Sequence, residues 1–183
     1  MNVDGFGIGW YADGDPVPAR YRRAAARSGP TPASPTWRGS PAPAPCWPPC
    51  ARPPDGTESG AAAAAPYASG RWLFSHNGVL NGWPAATACL AASLPAEDLL
   101  ALEARCDSAL AWALVAARLK AGTPAGQALA SVIADLGRHG ITGRFNFLLT
   151  DGEVISATAA GDTPATCAGR ARRRRCGGGV RAR

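Results

Sequence analysis

Ser69 to Leu80 reads SGRWLFSHNGVL. Trp72, Leu73 and Phe74 form a short run of strand-forming residues, Val79 and Leu80 resume it, and Asn77-Gly78 stands between. Asn-Gly flanked by apolar residues is a strong hairpin signal, because both positions tolerate positive φ. On that reading the pair is a tight turn and nothing more. A second reading stays open beside it. An Asn amide and the N–H of the next glycine, held rigidly together, are two donors able to hold a developing oxyanion.

Upstream, Asp4 to Tyr11 reads DGFGIGWY and alternates strictly. Phe6, Ile8 and Trp10 point one way and Gly5, Gly7 and Gly9 the other, the period of a strand. The bare glycine face suits close approach of a backbone or ligand. Ala12 to Pro16 supplies turn chemistry. GFGIGW follows no strand and opens no helix, so it is not read as a dinucleotide fingerprint.

Downstream the period changes. Ala96, Glu97 and Asp98 open a helical pattern carried by Leu99, Leu100 and Leu102, and later by Leu110, Ala113, Leu114 and Ala117. Arg105-Cys106-Asp107-Ser108 interrupts it, and Asp107 or Ser108 is placed to cap a second helix running to Lys120. A further helix restarts after Gly122-Thr123-Pro124, with Leu129, Ile133 and Leu136 on one face. Phe145, Phe147 and Leu149 then alternate, Thr150-Asp151-Gly152 turns, and Val154-Ile155 resume, a second hairpin. Strands, helices, strands is the order of an α+β fold rather than a parallel βαβ array.

The chain's 183 residues allow one ordinary domain, and 46% apolar content is enough for a core. No apolar run approaches the ~18–20 residues of a membrane span. Asp4 and the early glycines stand where a secretory signal would need basic and apolar regions. A cytoplasmic protein without a membrane partner is the expectation. The net charge of +6 belongs to one end: residues 167–183 carry seven arginines and no acid, while residues 1–166 carry 12 basic and 13 acidic groups. Ten of the 17 prolines lie between Pro30 and Pro54, in a stretch that cannot hold a helix or a central strand. Its Pro, Arg, Ala, Trp and Cys, like the arginine-rich end, match a GC-rich gene read out of frame. A genuine Pro-rich linker with a basic tail is the other reading. Of six cysteines only Cys89 and Cys106 fall outside these stretches. With two histidines and no paired CxxC knuckles, neither a zinc site nor a disulfide framework is expected.

MNVDGFGIGWY, GRWLFSHNGVL, CDSALAWALV and RFNFLLTDGEVISATAAGDTP, in that order, resemble successive blocks of the class II glutamine amidotransferases. They are closest to the branch that releases glutamate from γ-glutamyl-hercynylcysteine S-oxide in ergothioneine biosynthesis. The resemblance covers most of residues 1–25 and 57–164. It implies an N-terminal-nucleophile αββα sandwich and hydrolysis of a γ-glutamyl amide of a small molecule, without cofactor, metal or nucleic acid. In that family a processed N-terminal cysteine attacks the γ-carbonyl with its own α-amine as base.

Residue by residue, Asn77 and Gly78 match the oxyanion pair and Asp107 the carboxylate that binds the substrate's α-ammonium. His76, which precedes the pair, is placed in the substrate site as a positioned group. Asp4 borders the site as scaffold.

The pattern also departs from the family. The family begins Met-Cys well upstream of the DGFG block, whereas Met1-Asn2 stands inside it. The arginine that would hold the substrate carboxylate falls where PCWPPCARPP stands, and Arg52 is not given that role. The expectation is therefore an incomplete sandwich: a partial amidotransferase domain over 1–166, interrupted by an aberrant stretch over 28–54, then a disordered tail over 167–183. The first strand and the C-terminal strands are expected to be missing, and the chain as written to be inactive. The alternatives are a noncatalytic γ-glutamyl-binding module and a nucleic-acid binder using the basic tail.

Overall fold

The computed structural model describes residues 5–24 and 60–161, and the backbone of 167–172. Asp4 and the stretch 28–54 lie outside the described residues.

Strand β1 (Phe6–Trp10) pairs antiparallel with β2 (Ala19–Arg23), Ile8 opposite Tyr21. Five further strands form a second, antiparallel sheet in sequential order: β3 (Tyr67–Ser69), β4 (Trp72–Leu80), β5 (Gly143–Thr150), β6 (Val154–Ala159) and β7 (Cys167–Arg172). Between β4 and β5 run a 3₁₀ turn (Ala85–Thr87) and helices α1 (Ala88–Ala91), α2 (Ala96–Leu100), α3 (Asp107–Lys120) and α4 (Ala125–Arg138). The fold is α+β, as its order of elements implies. None of the described helices is long and apolar enough to cross a membrane.

Helices α3 and α4 cover one face of the five-stranded sheet. Phe74 stacks on Trp112 of α3 at 5.3 Å and meets Phe147 of β5 at 5.4 Å. Alternate residues of β5, Phe145, Phe147 and Leu149, are buried on this face. In α4, Leu129, Val132, Ile133 and Leu136 are buried at the i, i+3, i+4, i+7 spacing of one helical face. The β1–β2 hairpin lies against Leu73, whose side chain leaves β4 on the side opposite Phe74. A Cβ added at Gly9 would come within 2.6 Å of Leu73, and one at Gly7 within 1.9 Å of the Ala65 carbonyl oxygen. The glycine face of β1 is therefore a packing surface.

Three local expectations differ from the structure. Asn77-Gly78 is not a turn: both lie within β4, opposite Asn146 and Phe145. Pairing with β5 along the whole strand outweighs the local turn preference. The N-cap of α3 is Cys106, whose Sγ accepts the Ala109 N–H at 3.4 Å, rather than Asp107 or Ser108. Asp107 is thereby left in the first turn, free to bond elsewhere. Finally, residues 167–172, expected within a disordered tail and past the last strand, pair with β6 as β7. Backbone pairing satisfies β6's outward N–H and C=O groups whatever the side chains.

Candidate functional site

The site is built where β4 outruns β3. Strand β3 pairs only with residues 72–74 of β4, so the edge beyond is open to the loop that leads into α3. Phe145 N–H bonds to the Ala160 carbonyl on the far side of β5. The Gly78–Phe145 pair therefore makes no ladder bonds to β4, and Gly78 N–H points to the open edge. Leu80, two residues on, does the same, and its N–H is held at 2.9 Å by Oδ2 of Asp107. Gly78 N–H and the Asp107 carboxylate thus border one edge, with the two amides about 7 Å apart.

Asp107 is buried, and its Oδ1 accepts the Ser108 N–H at 2.7 Å. With Leu80 N–H on Oδ2 and the Ser108 N–H and hydroxyl on Oδ1, one of a carboxylate's about four acceptor sites remains for an ammonium donor. The Asn77 side chain belongs to the opposite face of β4 from His76, the face shared with Leu73. Of the three residues expected to converge, Gly78 and Asp107 border the same edge, whereas the Asn77 side chain leaves β4 on the face opposite His76.

His76 is buried beneath this edge with both ring nitrogens engaged. Nε2 lies 3.0 Å from the Arg144 carbonyl, which can only accept, so Nε2 carries the proton. Nδ1, at 2.9 Å from Ser108 Oγ, is then the acceptor of the serine hydroxyl. Burial pushes the imidazole below its ordinary pKa, against the opposite pull of Asp107 and the Arg144 carbonyl. A neutral ring with both nitrogens satisfied has none left for substrate. The contacts of Ser108 and Arg144 with His76 gave no sequence signal, because both depend on long-range register.

Neither Cys106 nor Ser108 is placed as a nucleophile. Cys106 is buried with its Sγ 3.2 Å from Tyr67 Oη, and burial raises both the thiol and the phenol above their ordinary range. The Ser108 hydroxyl lies 2.9 Å from His76 Nδ1 and 3.4 Å from Asp107 Oδ1, engaged within the fold. Among the described residues no three His, Cys, Asp or Glu side chains gather as a metal site. On the hairpin side, Glu103 receives Arg20 at 2.7 Å and Arg22 at 2.6 Å, which clasps β2 to the loop leading into α3.

No family model matches the chain. A curated protein of Mycobacterium tuberculosis named gamma-glutamyl-hercynylcysteine sulfoxide hydrolase is 34% identical over 167 residues, covering 89% of this chain and 61% of that protein. A protein of the same name from Mycolicibacterium smegmatis is 35% identical over 101 residues, 55% of this chain and 37% of its own length. A solved structure, the glutamine aminotransferase class-II domain protein of Silicibacter pomeroyi, superposes with a TM-score of 0.55 at 22% identity, over 88% of this chain and 71% of that one. In sequence the chain is similar to the gamma-glutamyl-hercynylcysteine sulfoxide hydrolases, and in fold to a class II glutamine aminotransferase domain. It spans about three fifths of the longer-matching curated relative. The solved neighbour speaks for the fold alone, a mixed one of helices on an antiparallel sheet.

Proposed function

We propose that the chain binds the γ-glutamyl group of an amide substrate along the open edge of β4. In hydrolysis Gly78 N–H and the Asn77 amide hold the oxyanion, and Asp107 takes the α-ammonium. The observation that carries this reading is the shared edge of Gly78 N–H and Asp107. The α-nitrogen and γ-carbonyl carbon of a glutamyl group are four bonds apart, a reach of the same order as the separation on the strand. Donors fixed in a ladder cost no reorganisation as negative charge develops on the carbonyl oxygen. A carboxylate shielded from water binds an ammonium by charge-assisted hydrogen bonds. The names of the curated relatives support γ-glutamyl-hercynylcysteine S-oxide as the substrate. The reading calls for no cofactor, metal, membrane or nucleic acid.

The commitment of Cys106 and Ser108 to internal partners favours a second reading for a polypeptide of these 183 residues: γ-glutamyl binding without turnover. Both readings are tested together. Glutamate release from γ-glutamyl-hercynylcysteine S-oxide is measured for this polypeptide and for a form extended to begin, after processing, with cysteine. Release by the extended form alone is expected, with L-glutamate binding to both. Asp107→Asn should weaken L-glutamate by about 10- to 100-fold, the loss of a charged hydrogen bond. Asn77→Ala should lower turnover of the extended form by about 10²–10³. Failure of either form to bind L-glutamate would overturn the assignment.

A further inference from the structure

His76 and Ser108 connect the two halves of the edge. Ser108 is the immediate neighbour of Asp107 in the first turn of α3, and its hydroxyl is 2.9 Å from His76 Nδ1. The other ring nitrogen donates to the Arg144 carbonyl of β5 at 3.0 Å. That carbonyl lies directly against Gly78: a Cβ added there would be 1.7 Å from its oxygen and 2.7 Å from His76 Nε2. The ring is further held edge-on to Phe147, with centroids 5.1 Å apart. One imidazole therefore touches the residue beside Asp107 on one side and the carbonyl packed against Gly78 on the other.

We infer that His76 is a positioning residue that locks the start of α3 to the β4–β5 ladder and so fixes Asp107 relative to Gly78 N–H. It does this with its ring nitrogens and makes no contact with substrate. The donor to Arg144 fixes the strand pair, and the acceptor of Ser108 fixes the helix start. The inference rests on the γ-glutamyl reading for its functional meaning, whereas the coupling itself is a property of the apo chain.

The experiment separates the two. Amide hydrogen exchange is followed by NMR in the full chain, its His76→Gln, His76→Phe and Ser108→Ala variants, well below their melting temperatures. Gln places an amide N–H near the position of Nε2, whereas Phe fills the volume with no polar group. Exchange of Leu80 N–H, held by Asp107, should be at least about tenfold faster in His76→Phe than in His76→Gln, and the Gly78 amide resonance should shift in Ser108→Ala. L-glutamate is then titrated into the same proteins, with at least tenfold weaker binding expected for His76→Phe and less than threefold for His76→Gln. Unchanged Leu80 exchange and Gly78 resonance would overturn the coupling. Unchanged L-glutamate affinity in His76→Phe would reduce His76 to a stabilising group. Exchange effects in a wild-type chain that binds no L-glutamate would keep the lock and remove the γ-glutamyl reading instead.

Discussion

His76 makes the stability of the chain depend on pH at the scale of one residue. Its folded pKa lies below the unfolded value of 6.5, chiefly because of burial. Above pH 6.5 both states are neutral and the ring contributes no pH dependence. As pH falls below 6.5 the unfolded chain binds a proton that the folded chain refuses, so stability drops until the folded pKa is reached. The slope approaches about 1.4 kcal/mol per pH unit. Urea unfolding at pH 7.0, 6.0 and 5.5 should show this loss in the wild type, and His76→Gln should remove most of it. Gly78→Ala tests the same spot sterically. Its Cβ would meet the backbone oxygen of Arg144, which no side-chain rotation relieves. A loss of about 3 kcal/mol or more is expected in the same titration.

At the scale of elements, the Glu103 clasp joins two parts of the fold that share no strand pairing. Burial alone would raise the Glu103 carboxyl, but Arg20 and Arg22 overcome it and hold the carboxyl below its ordinary range. Its contribution is complete above the unfolded carboxylate pKa and is lost as pH falls through the folded one. Glu103→Gln should cost about 1 kcal/mol at neutral pH and free the β1–β2 hairpin first, seen as faster exchange of the Ile8 and Tyr21 amides.

The elements also show what the sequence could carry. The alternation of β1, the 3.6-residue period of α4 and the β5–β6 turn at Asp151-Gly152 are local patterns, and each is found where its period placed it. Asn77-Gly78 misled because its strand partner lies almost seventy residues away, beyond four helices. β7 was illegible because an arginine-rich stretch has no apolar period, although backbone pairing needs none. Asp107 and Gly78 were singled out through the motif resemblance, and the structure sets them along one edge of β4. The engagement of both His76 nitrogens was not, since it follows from β4–β5 register and the start of α3 together.

Across the whole molecule, Cys89 and Cys106, the two cysteines whose side chains are described, sit at opposite ends of the protection scale and report on different events. Cys89 is exposed, with its Sγ 3.4 Å from His139 Nδ1, and can meet a reagent without any opening. Cys106 lies between β3 and α3, covered by Tyr67, with its thiol pKa raised by burial. A thiol must be both exposed and deprotonated to react. Tyr67, Phe74 and Leu110 belong to the same buried cluster as Cys106, so exposing its sulfur means separating α3 from the sheet. That separation removes the packing of Trp112 on Phe74 and the hold of Asp107 on Leu80, which is equivalent to losing the fold. Iodoacetamide labelling, mapped peptide by peptide, should therefore modify Cys89 at once in the native protein. Cys106 should label only through global unfolding, at a rate that rises with urea with the same m-value as the equilibrium transition. Tyr67→Phe keeps the cover but removes the hydroxyl, and should leave that dependence unchanged. Labelling of Cys106 at a urea-independent rate would mean that α3 parts from β3 locally, and the edge holding Gly78 and Asp107 would then be a hinged rather than a fixed arrangement.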